Sequence, residues 1–372
     1  MKAARFAFVG WNPFQIRLAL EIARDLPGSE LVIEGKPPHL PRFSKDWLDS
    51  LGVPYRVVPR SKMASIDGEY EVIVAQTVFS GVQSIRRSKI AWLQYGLAKD
   101  RHNYGAWRAL GDLALVYGPY SAKKIARFCP VREVGNTRFD AYRPLPRSKA
   151  PRQTILYAPT WGPLSTQDEF LDAILELSRD YRLLLKLHHN TAIKERARRD
   201  RLEAAGVRFY GEHDDLFPLL AEADLVLSDF SGAIFDALLA EKKILLLQNK
   251  ERARYGRKLS PRSLEIAARE RIGPVVSSPD ELDEAVRSIF TGTLDLRIAN
   301  EDLRAELFIR GGSAIARAHA ALEELAAGEI EAQTRSQRSL RLALGLGRGL
   351  VFGGALGPYF KLEERMKPLR LS

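Results

Sequence analysis

Between Asp214 and Gln248 the chain reads DDLFPLLAEADLVLSDFSGAIFDALLAEKKILLLQ, and the turn Asp229-Phe230-Ser231-Gly232 at its centre holds the residue types an anion site needs. A serine hydroxyl and a glycine backbone stand between the apolar run Leu225-Val226-Leu227 and a helical pattern of Ile234, Phe235, Leu238 and Leu239. Where a strand gives way to a helix, N–H groups and the positive end of the helix dipole face whatever binds. Glycine lets that ligand approach the backbone closely. Ser231, Gly232 and Ala233 therefore read as a phosphate cradle, and an ordinary strand-to-helix turn capped by Ser231 fits the same letters.

The elements around that turn follow from spacing. Asp214 and Asp215 occupy a helix N-cap, with Leu216, Leu219 and Leu220 behind them at helical intervals, and 244–247 is a further buried strand. Upstream, strands are expected at 6–9, 31–33, 55–58, 71–75, 89–93, 113–117, 154–157, 181–187 and 207–210. Helices are expected at 14–26, 44–51, from Ser121 to 127, 167–178, 191–205, 279–290 and 300–325. Strands alternating with helices give an α/β fold with mostly parallel sheets covered on both faces, and ligands bind at the strand ends of such sheets. The proline- and base-rich stretch 142–152 reads as a linker. It divides the chain into an N-terminal Rossmann-like domain, 1–145, and a C-terminal one, 153–330, followed by a basic, glycine-rich tail, 331–372. Within the tail, 339–360 is apolar but interrupted by glycines and flanked by arginines and lysines. It fits a peripheral anchor on anionic lipid, a segment packed back on the N-terminal domain, or a mobile end.

Bulk properties narrow the function. The chain has 372 residues, 45% of them hydrophobic, and a formal net charge of +11, which favours an anionic partner. The single cysteine, Cys129, rules out an internal disulfide and a cysteine-based zinc cluster. The opening residues run into a strand pattern without a cleavable leader, so a cytoplasmic protein is expected, peripheral on the inner membrane face if the tail anchors it. Gly10-Trp11-Asn12-Pro13-Phe14 follows the first strand in place of a Gly-x-Gly-x-x-Gly fingerprint, which disfavours a dehydrogenase. No nucleophile elbow, metal-ligand cluster or nucleic-acid-binding motif stands in the sequence, so neither a metal nor nucleic acid is expected.

Five landmarks in order, Gly135-Asn136-Thr137-Arg138-Phe139-Asp140, Ile155 to Trp161, Lys186-Leu187-His188, Asp214 to Leu220, and Ala223 to Asp236, resemble the CDP-glycerol glycerophosphotransferase family, the enzymes of teichoic-acid-type polyol phosphate chains. The resemblance covers roughly residues 90–325. It implies a GT-B architecture of two Rossmann-like domains facing a cleft, with the nucleotide donor on the C-terminal domain. It also implies transfer of a polyol phosphate, glycerol phosphate first, from a CDP-activated donor to a hydroxyl of a cell-surface polymer or lipid-linked acceptor. No cofactor or metal is required. A GT-B glycosyltransferase using a sugar nucleotide in surface polysaccharide synthesis is the alternative.

The resemblance also implies site residues. His188, after Lys186, stands at the family's strand-end histidine and would meet the diphosphate, or serve as a structural histidine. Thr160, Lys186, Ser231 and Gly232 would contact donor phosphate, and Ser231-Gly232 replaces the family's pair of hydroxyl residues. Asp236 would hold a donor hydroxyl, or act as a first-turn acid favourable to the helix dipole. On the acceptor side the family's Trp-His-Gly-Thr-Pro becomes Gln94-Tyr95-Gly96-Leu97-Ala98. Tyr95 replaces the histidine base, and a phenol with a pKa near 10 is a poor base at neutral pH. Tyr95 would then position an acceptor; Gly96 and Asp100 belong to this acceptor loop, and Asp100 and His102 are the candidate substitute bases, His102 the more attractive by pKa, against an exposed loop histidine.

Overall fold

A computed structural model describes residues 4–37, 39–144, 152–211, 214–248, 260–293 and 297–346. The chain divides into two compact units: residues 1–95, 101–140 and 307–372, and residues 96–100 and 141–306.

The first unit is built on seven parallel strands: β1 Phe6–Gly10, β2 Ser29–Gly35, β3 Tyr55–Pro59, β4 Val72–Ala75, β5 Lys89–Leu93, β6 Leu113–Val116 and β7 Val131–Glu133, in the order β3-β2-β1-β4-β5-β6-β7. Alternation at period two sends Phe6, Phe8, Val72 and Val74 to one face and Ala7, Val9, Ile73 and Ala75 to the other. Helix Pro13–Asp25 covers the first face with Ile16, Leu20 and Ala23; Asn12 caps it through a 2.9 Å bond from the Gln15 N–H, and Pro13 sits at its first turn. Trp92, Tyr104 and Trp107 fill the opposite face.

One expected helix splits and changes address. The stretch 300–325 is two helices, Arg297–Leu307 and Ala314–Ala327, broken at Gly311 and Gly312, which both take positive φ. Ala314–Ala327 packs against β4, β5 and β6 and helix Pro13–Asp25, adding Ala318, Ala321, Leu322 and Leu325 to the core on that face, so 307–330 counts with the first unit, where the sequence places it in the C-terminal domain. Asp140 secures the return, accepting bonds from Ser313 Oγ (2.6 Å) and from the N–H groups of Ala314 (2.9 Å) and Ile315 (2.8 Å). The start of the tail is helix Arg335–Leu346, which buries Leu344 against the Trp92 and Trp107 side of the sheet and pairs Arg341 with Asp112. Of the stretch 339–360, where the lipid anchor is expected, residues 339–346 belong to this helix and the rest lies outside the described residues, as do 145–151 of the expected linker. No helix among the described residues is long and apolar enough to cross a membrane.

The second unit has six parallel strands: β8 Thr154–Tyr157, β9 Arg182–Lys186, β10 Phe209–Tyr210, β11 Leu225–Ser228, β12 Lys243–Leu247 and β13 Val275–Val276, ordered β10-β9-β8-β11-β12-β13. Helices Gln167–Glu176 and Leu282–Thr291 cover one face with Phe170, Leu171, Ile174, Val286 and Ile289. The strand order reverses between β8 and β11. In open parallel sheets that reversal opens a crevice at the strands' carboxyl ends. The basic stretch 191–205 is not one helix but two, His189–Lys194 and Arg196–Ala204, parted at Glu195, whose φ of −113° and ψ of 62° are not helical. Ser121 is not a cap: Pro119 starts helix Pro119–Ile125, and Ser121 lies buried inside it, bonded to Gln94 and Tyr104.

The return of the chain at residue 307 depends on a close backbone approach. A Cβ on Gly118 would lie 2.7 Å from the Ile309 nitrogen and 2.8 Å from the Leu307 carbonyl oxygen, beside the 2.9 Å bond from the Ile309 N–H to the Tyr117 carbonyl. Gly118→Ala is therefore expected to cost about 1–3 kcal/mol, read as a lower urea midpoint with unchanged slope.

Candidate donor site at the strand ends of the second unit

The residues that resemble a donor site converge on the crevice between β8 and β11. Asp229, directly after β11, is fully buried, and its carboxylate accepts the N–H groups of Thr160 (2.7 Å) and Thr166 (3.0 Å) and the Thr166 hydroxyl (3.3 Å). These bonds tie the exit loop of β8 to the end of β11. Burial pushes the Asp229 carboxyl up from the usual aspartate range, opposed by the Thr160 and Thr166 donors and by Arg269. Arg269 donates to the carbonyls of Asp229 (3.2 Å) and Leu247 (2.7 Å) and lies over the Phe230 ring, fastening the ends of β11 and β12.

Within this frame Thr160 is fully buried, and its hydroxyl has no partner among the described residues. Ser231 is buried, and its Oγ accepts the Ala233 N–H at 3.3 Å. The cap position of helix Ala233–Leu239 falls on Gly232, one residue later than the sequence suggests, and the Ala233 N–H of the expected cradle is donated to Ser231. A Cβ on Gly232 would meet only Ala98 within 4 Å, at 3.9 Å. Asp236 lies in the first turn of the helix, partly buried.

His188 follows β9 and caps helix His189–Lys194 through Nδ1, which accepts the Asn190 N–H at 3.1 Å. That bond places the proton of the neutral ring on Nε2. Burial, then the charges of His189, Lys99 and Lys186, hold the imidazole well below its ordinary pKa, so at neutral pH His188 is an uncharged donor. Its ring stacks on Trp161 at 6.1 Å and lies 4.2 Å from His189. Lys186 donates its ammonium to the carbonyls of Leu187 (2.9 Å) and Gly211 (2.7 Å), a strand-end tie that occupies the expected phosphate cation. Glu195, which spacing does not single out, accepts from Gly162 N–H (2.8 Å), Arg198 (3.0 Å) and the Thr191 hydroxyl (2.7 Å), and so joins the loops after β8 and β9.

The segment 96–100 counts with the second unit. Glu265, buried in helix Leu264–Ala267, accepts the Lys99 N–H at 2.8 Å, and Ser263 Oγ accepts the Asp100 N–H at 3.3 Å. Gly96 is partly buried beside them in sequence. Tyr95 and His102 count with the first unit; both are partly buried. Burial pushes the Tyr95 phenol up, with Arg108 opposing, so the phenol stays protonated at neutral pH. No group of three or more His, Cys, Asp or Glu side chains among the described residues is arranged to hold a metal.

A doubly wound parallel sheet with polar groups gathered at its switch point defines a nucleotide-binding α/β class. Residues 137–296 match the sequence profile of the family described as CDP-Glycerol:Poly(glycerophosphate) glycerophosphotransferase. No curated protein matches the chain. Among solved structures the fold is similar to the wall teichoic acid polymerase TagF, at 15% identity and a TM-score of 0.62 over 88% of this chain and 90% of that one. It is also similar to a putative UDP-N-acetylglucosamine 2-epimerase from Listeria monocytogenes (13% identity, TM-score 0.57, 90% and 99% covered) and to S. aureus MnaA in complex with UDP (14%, 0.58, 89% and 100%). The fold is thus GT-B-like, and residues 137–296 resemble the glycerophosphotransferase family.

Two outcomes test the geometry. Asp229→Ala leaves the N–H groups of Thr160 and Thr166 buried without an acceptor, and is expected to cost about 3 kcal/mol or more in chemical denaturation. Burial pushes Glu265 up to about 7 from an ordinary 4.5. Because the folded-state value is the higher, the native state binds the extra proton. The stabilisation is fully present below pH 4.5 and is lost as pH rises through 7. Between pH 5 and pH 8 the wild type should lose about 2–3 kcal/mol more than Glu265→Gln in urea unfolding.

Proposed function

We propose that this chain transfers a polyol phosphate, glycerol phosphate first, from a CDP-activated donor to an acceptor hydroxyl in teichoic-acid-type polymer synthesis. The observation that carries the reading is a coincidence of place. The stretch that matches the glycerophosphotransferase family, 137–296, contains Thr160, His188, Ser231 and Gly232, and these stand at the carboxyl ends of β8, β9 and β11.

In the proposed reaction the acceptor oxygen attacks the glycerol-bearing phosphorus. A new P–O bond forms, the P–O bond to the CMP moiety breaks, and CMP leaves with the bonding electron pair. The acceptor proton passes to a base, for which His102 is the candidate and Tyr95 the residue that places the hydroxyl. The diphosphate gathers charge as CMP departs, and fixed donors aimed at that charge lower the barrier. His188 supplies Nε2–H, Thr160 a hydroxyl held in a buried site, and Gly232 a backbone with open space in front of it. Asp236 would hold a donor hydroxyl. The proposed acceptor is a surface polymer or lipid-linked chain, reached at the inner face of the membrane; the net charge of +11 supports an anionic one.

Thermal stabilisation by CMP, CDP-glycerol, CDP-ribitol, UDP-sugars and GDP-sugars tests the donor. A ligand at 100 times its Kd should add about 2.7 kcal/mol, and the cytidine compounds are expected to do so while the others do not. A response confined to a sugar nucleotide would replace the proposal with a glycosyltransferase. His188→Asn keeps a side-chain cap for helix His189–Lys194 but removes Nε2–H. It should retain the melting temperature and weaken CDP-glycerol by about 10–100-fold.

A further inference from the structure

One buried carboxylate is only half occupied by the contacts above. Glu265 is 0% exposed; its Oε1 accepts the Lys99 N–H, and its Oε2 has no partner among the described residues. Lys99 has a φ of 61°, a left-handed conformation that a side-chain-bearing residue rarely adopts. The bonds to Glu265 and Ser263 hold the backbone there. Two observations place this segment at the donor site. Ala98 Cβ stands 3.9 Å from where a Cβ on Gly232 would be, and the Lys99 charge acts on the His188 ring.

We infer that Lys99 is the cation that contacts the donor's diphosphate, and that Glu265 is its positioning residue, clamping the Lys99 N–H so that the left-handed turn delivers the side chain to the ends of β9 and β11. This rests on the proposed donor reading. A flexible lysine reaches a diphosphate as a point charge, and its effect depends on how the backbone aims it. The charged groups facing the Glu265 carboxyl are Lys99 and Asp100. An ionised carboxylate makes the stronger, charge-assisted bond to the N–H, so the clamp tightens as Glu265 loses its proton.

The test is calorimetric titration of CMP and CDP-glycerol into the full chain at pH 6 and pH 8, for wild type, Lys99→Met, Lys99→Arg, Glu265→Ala, Glu265→Gln and the Lys99→Met/Glu265→Ala pair. Lys99→Met is expected to weaken CDP-glycerol by about tenfold or more, the scale of a hydrogen bond to a charged group, and Lys99→Arg to restore most of it. Glu265→Ala should weaken binding similarly and add nothing to Lys99→Met, as residues acting through one contact do. Wild-type affinity should rise from pH 6 to pH 8, and Glu265→Gln should remove that rise. Should Glu265→Ala not fold, Glu265→Gln and the two lysine variants still decide. Full affinity in Lys99→Met, additive losses in the pair, or a pH dependence that Glu265→Gln leaves intact would overturn the inference alone. A wild type that binds neither ligand would overturn the donor reading and the inference with it.

Discussion

The second unit depends on how β11 is fixed against β8 at the point where strand order reverses. Two aspartates bracket β11. Asp224 exchanges bonds with Thr154 at the start of the pair, its N–H to the Thr154 carbonyl (2.8 Å) and its carboxylate from the Thr154 N–H (2.9 Å). Asp229 accepts Thr160 and Thr166 at the other end. A buried carboxylate is tolerated only when its lone pairs are occupied. The requirement works both ways: the loop after β8 must bring its N–H groups to Asp229, and so it cannot wander. Thr160, Trp161 and Gly162 inherit their positions from that bond, and Glu195 passes the same order to the loop after β9.

The electrostatics of the site are more economical than a net charge of +11 suggests. His188 is neutral, because its Nδ1 caps a helix among nearby cations and its ring is desolvated. Lys186 and Arg269 spend their cationic groups on backbone carbonyls, tying strand ends that would otherwise leave acceptors unpaired. Two cationic groups therefore build the crevice, which also holds an imidazole N–H, a buried hydroxyl and a glycine backbone. Preorganised donors of this kind need little rearrangement when charge develops, which is where they gain over solvent.

Periodicity and turn letters made most of the strands legible, because a buried parallel strand is a short apolar run with little ambiguity. The helices were less so. Residues 300–325 and 191–205 each carry helical composition throughout, and the breaks at Gly311-Gly312 and Glu195 follow from backbone geometry and a carboxylate needed elsewhere. Ala318, Ala321, Leu322 and Leu325 announce an apolar face but not which sheet it covers; Asp140, nearly two hundred residues upstream, decides that by capping the helix. Thr160, His188, Ser231 and Gly232 were visible as letters at strand ends. Asp229 was visible only as the first letter of a turn, and Glu265 and Glu195 carried no signal, since their partners are distant in sequence.

Local pattern alone carried the fold class of the protein: parallel α/β units, a polar turn at a strand end, and ordered landmarks that resemble the glycerophosphotransferase family. These depend on local periodicity and residue type, which neighbours along the chain express. Tertiary structure alone decided which groups are charged and which are occupied. His188 became an uncharged donor, Lys186 a structural tie, Asp229 the joint between two strands and Glu265 a carboxyl with a pKa of about 7. Protonation and hydrogen-bond occupancy are set by desolvation and by partners brought together from distant parts of the chain, and neither is a property of a residue's place in a sequence.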